Sequence, residues 1–252
     1  MKFRHIIAAL LICFAAGCFE MNEDIVINKD GSGNYSSKMD MSAMLQMMQT
    51  MASDELEKNG VDKSIDTVIK MKDILDSAKD ATPEQKRLLK DGSMRLQMNL
   101  EQSILKADIN FPFKSYEDLA LLLNGATTGS MGNIFKRALT HDTAQAVSPG
   151  DAEMDQINSI FDVTVNNKQL TRKLNKEKYD AFIQRPEMAQ MKELAANGME
   201  IQYTTTIRLP RPVKKSDNPM IKLSPDKKTV TIKYDMVKLF QSPEQFSYSI
   251  EY

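Results

Sequence analysis

Cysteine is nearly absent from this chain. Two occur in 252 residues, Cys13 and Cys18, and none follows residue 18. Everything downstream is therefore without an internal disulfide, a cysteine zinc site or a cysteine nucleophile. Histidine is as scarce, with only His5 and His141. His141 stands in Thr140-His141-Asp142, within a stretch rich in Ala, Thr, Ser and Gly. It reads as a solvated loop residue rather than a base oriented by its neighbouring carboxylate. Tryptophan is missing and aromatics make up 7%, which argues against a sugar-stacking platform. The G-x-S-x-G elbow, the H-E-x-x-H helix, the P-loop and the G-x-G-x-x-G fingerprint are absent too. Carboxylate-dependent hydrolysis is the enzymatic alternative that these absences leave open. No run is apolar enough to span a bilayer. Charge of one sign is also lacking, with 33 basic against 34 acidic residues, so nothing points to nucleic acid as a partner.

What is present begins at the N-terminus. Lys2, Arg4 and His5 form a basic head, and Ile6 to Ala16 is almost wholly apolar. That run has the length of a signal-peptide core and falls short of the roughly 20 residues of a spanning helix. Ala15, Ala16 and Gly17 supply small residues before Cys18. The stretch Ala15-Ala16-Gly17-Cys18 resembles the lipobox of bacterial lipoproteins. The resemblance implies a signal peptide over 1–17, cut between Gly17 and Cys18, and a diacylglyceryl (palmitate-bearing) thioether on Cys18. It implies export and a lipid anchor in a bacterial membrane, with the outer membrane as the expected address, on its periplasmic face or at the cell surface. Two or three acyl chains hold stably where one does not, at about 0.8 kcal/mol per buried methylene. Removing 17 of 252 residues leaves 235, and losing Lys2 and Arg4 leaves 31 basic residues against 34 acidic, a charge of about −3. Residues 18–24 read as the lipidated end and a short acidic tether. Glu20, Glu23 and Asp24 also faintly resemble a surface-export signal.

The remainder divides at a change of composition. The first half, 25–123, opens with Ile25-Val26-Ile27 and a turn at Asn28 to Asn34, which predicts a β-hairpin. The same turn imitates the start of a calcium loop, but its twelfth position is Met39, not the bidentate Glu that calcium requires. Strands are expected from Ile65, over Met94 to Leu100 and over Ile104 to Phe113. Thr82-Pro83-Glu84-Gln85 starts a short helix, and Tyr116 to Leu123 reads as a buried one. Residues 124–155 turn to Gly, Ala, Thr and Ser, as a flexible loop or boundary would. The second half, 156–252, predicts a hairpin around Asn166-Asn167-Lys168. A helix over Lys176 to Asn197, broken by Pro186, precedes alternating strands from Ile201, Val230 and Phe246. Both halves are expected to share one α+β domain, an antiparallel sheet built from hairpins with helices on one face.

Methionine is abundant, at 18 residues. Met44, Met47, Met48 and Met51 recur at i, i+3, i+4 and i+7 after a Ser42 cap. Core packing explains such a stripe most simply. It would also serve as an adaptable wall for an apolar ligand, or, with Met39 and Met41, as thioether ligands for copper(I).

The layout from Met199-Glu200-Ile201 through Leu209-Pro210 to Ser224-Pro225-Asp226-Lys227-Lys228-Thr229-Val230, with the hairpin soon after Cys18, is similar to LppM-type lipoprotein domains. That resemblance implies an α+β domain that binds a lipid or other amphiphile at the envelope. The expected protein is thus a membrane-anchored, non-enzymatic binding or structural protein, with a lipid or envelope protein as partner and neither cofactor nor resident metal. A hydrolase and a methionine copper protein are the alternatives.

Overall fold

The computed structural model describes residues 18–43, 45, 46, 49, 50, 64–75, 81–126, 157–185, 188, 189, 192 and 200–252. The first strand, β1 (Cys18–Ile27), turns into β2 (Gly33–Asp40) at the predicted hairpin. Asp30 closes this turn by accepting both Ser32 N–H and Ser32 Oγ–H. Its carboxylate is thereby committed to the turn. Gly31 lies at φ 87°, and a Cβ there would meet the Tyr116 ring at 2.7 Å, so neither conformation nor space admits another residue.

Five further strands of the large sheet match the expected alternation. They are β3 (Ser64–Lys70), β4 (Ser93–Asn99), β5 (Ile104–Phe113), β8 (Glu200–Arg208) and β11 (Thr229–Asp235). The short β10 (Lys222–Leu223) completes an eight-stranded sheet in the order β10-β11-β8-β1-β2-β5-β4-β3. On β5 the odd positions Leu105 to Phe113 are buried and the even ones from Lys106 to Pro112 are exposed. One face of the sheet is therefore apolar and the other polar. Asp66 with Arg95, Asp40 with Lys106 and Asp24 with Arg208 pair across the polar face.

Three short helices join the apolar side. They are α1 (Met71–Leu75), α2 (Pro83–Leu89) and α3 (Tyr116–Leu121). Their buried Met71, Leu75, Leu88, Leu89 and Leu119 belong to the same core as the inward face of the sheet. Thr82 and Gln85 form a reciprocal capping box at the start of α2.

A second sheet runs β6-β7-β12-β9, all antiparallel. Its strands are β6 (Phe161–Val165), β7 (Gln169–Leu174), β9 (Lys215–Ser216) and β12 (Tyr248–Glu251). Two helices, α4 (Lys176–Ile183) and α5 (Val237–Gln241), accompany it, and Tyr179 of α4 donates its hydroxyl to the Leu239 carbonyl at 3.0 Å. Buried residues of both sheets form one hydrophobic cluster.

The α+β class and the hairpins follow the sequence, with three differences. There are two sheets rather than one. The pair β1–β8 is parallel, because its strands are joined by a long excursion and not by a turn. And residues 18–24 are not a tether. Paired with β8 from Cys18 and with β2 from Glu20, they lie within the large sheet. The break expected at Pro186 is present: helix α4 ends at Ile183 with Gln184 as C-cap, helix resumes at 188, and proline biases the backbone before it away from helix. Pro186 itself and residues 127–156, with His141, lie outside the described residues.

Candidate functional site

Cys18 is the first residue of β1, in register with Glu200 of β8. Gly17 and the rest of 1–17 lie outside the described residues, as do Met44, Met47, Met48 and Met51. Around that methionine stripe, Met41 and Leu45 are buried and Met39 packs against the core. Met39 and Met41 thus serve as apolar filling. Among the described residues no group of three or more His, Cys, Asp or Glu side chains could hold a metal ion, and no helix is long and apolar enough to cross a membrane.

The described structure instead concentrates unusual chemistry between the two sheets. Alternation along β1 turns Met21, Glu23, Ile25 and Ile27 inward, so Glu23 enters the core with only 2% of its surface exposed. Its Oε2 accepts the Thr205 hydroxyl from β8 at 2.9 Å. Its Oε1 is buried without a hydrogen-bond partner. Tyr203, two residues before Thr205, is pushed well above the ordinary phenol range by burial and then by the neighbouring Glu23. Tyr234 of β11 packs tilted against Tyr203 and stacked on Phe246, with ring centroids 6.2 and 4.5 Å apart. Its hydroxyl is buried and unpartnered.

Arg172 enters this region from the other sheet. It alternates with Leu170 on the buried side of β7 and is 5% exposed. Its guanidinium lies over the Phe161 ring, 3.9 Å from the centroid, a contact that offsets part of the cost of burying the charge. Cross-strand from it stands Tyr248 of β12, whose phenol burial raises to about 12 despite the nearby cation. The Arg172 Nε–H is buried and unpartnered. Among the described residues no carboxylate oxygen comes within the 4.0 Å of an ion pair with this guanidinium.

Arg172 and Tyr248 line a cleft of about 730 Å³ on this side of the molecule. Asn218 shapes one wall. Its amide donates to the Gln245 and Ser247 carbonyls at 2.8 Å each, and its oxygen accepts Met220 N–H at 2.8 Å. The buried lining is Arg172, Tyr248 and Asn218, while Lys173, Asp217 and Glu244 are exposed around it. Asp217 and Glu244 are the acid pair that a hydrolase reading would use. One oxygen of Asp217 is already taken by Ser249 N–H at 2.6 Å, which fixes the loop to β12.

From sequence Glu23 reads as part of an acidic tether, and Arg172 carries no role. The signal was available in both strands. Met21, Glu23, Ile25 and Ile27 share one parity, as do Leu170, Arg172 and Leu174, and a charge in phase with apolar residues on a strand is bound for the core.

No protein-family model and no curated protein matches this chain. Among solved structures, the folded domain of the Mycobacterium tuberculosis LppM protein, determined by NMR, is similar over 92% of this chain and 88% of that one. The identity is 8% and the TM-score 0.35, a likeness too slight to carry an argument about this chain.

Proposed function

We propose that this chain is a lipid-anchored protein of the bacterial envelope whose folded part binds a lipid or other apolar ligand and does not catalyse a reaction. The cleft beside Arg172 and Tyr248 carries the reading. Its volume of about 730 Å³ is that of a small-molecule site, and a few polar groups converge on it. The lipobox-like stretch at Ala15 to Cys18 supports the anchor. With β1 starting at Cys18, an acyl group there joins the large sheet without an intervening tether. The domain then sits against the bilayer, within reach of amphiphiles, on the periplasmic face of the outer membrane or at the cell surface.

The test is mass spectrometry of the natively acylated protein extracted from membranes. The N-terminal peptide is expected to start at Cys18 and carry a diacylglyceryl mass. A lipid or other apolar molecule is expected to accompany the folded protein in stoichiometric amount. Cys18→Ser should leave the chain unacylated and residues 1–17 attached. An unmodified Cys18 ends the anchor reading, and a protein carrying no such molecule ends the binding reading.

A further inference from the structure

A guanidinium inside a protein needs a counter-charge or a full set of acceptors, because desolvating an ion is costly. Arg172 has neither. It is 5% exposed, and the groups that act on its charge are the phenols of Tyr248, Tyr203 and Tyr234 and the Glu23 carboxyl. The Phe161 ring covers one face of the cation, and on its edge the Nε–H has no acceptor. Arg172 also lines the cleft, which gives an anion entering from solvent an approach to a charge that no described carboxylate pairs with at ion-pair distance. The cleft beyond it offers apolar surface from Pro219 and Met220. The exposed Asp217 and Glu244 disfavour a densely charged polyanion and select for a single anionic group.

From this arrangement we infer that the cleft is an anion site in which Arg172 holds the carboxylate or phosphate of a singly headed ligand. The inference rests on the binding role proposed above and names the chemistry of the bound group. A planar guanidinium donates two parallel hydrogen bonds to such a group, which gives orientation as well as affinity. The anionic group belongs either to an amphiphile, whose chain lies along Pro219 and Met220, or to a free small solute.

The test titrates the natively acylated full chain, held in phosphatidylcholine nanodiscs, with acetate, hexanoate and inorganic phosphate by calorimetry, against empty nanodiscs. One-to-one binding of at least one anion is expected, weakened at least tenfold in Arg172→Met. Arg172→Lys keeps the charge and loses the fork, and is expected to bind more weakly than the parent but better than Arg172→Met. Far-ultraviolet circular dichroism checks that each variant is folded. If the methionine variant fails to fold, the lysine variant alone decides, since an affinity equal to the parent's would overturn the role of the fork. Hexanoate binding tenfold or more above acetate identifies an amphiphile, and equal binding identifies a free anion. Saturation by none of the three probes, or binding undiminished in Arg172→Met, overturns the inference. A neutral lipid co-purifying with a protein that takes up no anion would overturn this inference alone and leave the binding role standing.

Discussion

Asp118 sits where burial and ion pairing oppose each other. It is 5% exposed, and desolvation alone would raise its pKa. Arg87 Nη2 at 2.7 Å and Lys114 N–H at 3.1 Å favour the charged form and hold the carboxyl below its ordinary value instead. A carboxyl with a depressed folded pKa stabilises the protein above its unfolded pKa, and that contribution is lost as pH falls through the folded value. The loss therefore falls below about pH 4. Because α2 supplies the arginine and α3 the aspartate, the contact ties two helices of the large sheet together. Asp118→Asn keeps the volume and removes the charge, and is expected to cost about 2 kcal/mol near neutral pH. Urea unfolding of parent and variant at about pH 7 and about pH 3 checks this, and the gap between them should shrink at the acid end. An equal gap at both pH values would mean that the charge contributes nothing.

Among the elements, β6 depends on a side chain for part of its pairing. Asn124, just after α3, donates to the Val163 carbonyl at 2.7 Å and accepts the Val163 N–H at 2.8 Å. A single amide thus acts as a missing neighbouring strand on the open edge of the second sheet. The same Asn124 also donates to Ala120 O at 2.7 Å, which couples α3 to β6. Asn124→Ala strands a donor and an acceptor on the same residue, for an expected loss of about 2 kcal/mol. Hydrogen exchange at the Val163 amide is expected to accelerate more than at its neighbour Leu170 in β7, whose pairing is all backbone. Uniform acceleration across the sheet would show that the amide only adds global stability. This residue also marks where sequence reading succeeds and where it stops. The hairpins at 28–34 and 166–168, the capped start of α2 and the alternation of β5 are local patterns, and local patterns are what composition and spacing report. Asn124 looked like the beginning of a loop, because its partner lies 39 residues away. The pairing of β1 with β8 is equally remote, so an acidic stretch after Cys18 passed for a tether. The cleft was illegible for the same reason, since Arg172, Asn218 and Tyr248 come from separate parts of the chain and only the fold assembles them.

At the scale of the whole molecule, the two sheets are joined through an interior rich in phenols. Tyr203 and Tyr234 come from the large sheet and Tyr248 from the small one. Burial raises all three, Tyr248 to about 12. Tyr252, whose hydroxyl donates to Asn166 O at 2.7 Å, is also raised to about 12. A phenol in the unfolded chain ionises near pH 10. A group with a raised folded pKa contributes its stability in full below the unfolded value and loses it as pH rises toward the folded one. For Tyr248 and Tyr252 the window is therefore about pH 10 to about pH 12. Because the buried phenols are spread over both sheets, no one of them can ionise in place without charging the shared core. Unfolding is expected to be cooperative on the alkaline side, with tyrosinate absorbance and loss of far-ultraviolet circular dichroism rising together for the buried phenols. The mechanism also predicts that Tyr248→Phe raises the alkaline midpoint, since it removes one ionising group at the seam and leaves the ring. Tyrosinate forming fully while the circular dichroism stays native would show that the phenols titrate in a folded protein and that the sheets are not held by a closed interior. A midpoint unmoved in Tyr248→Phe would take Tyr248 out of the alkaline transition and assign it to the other buried phenols.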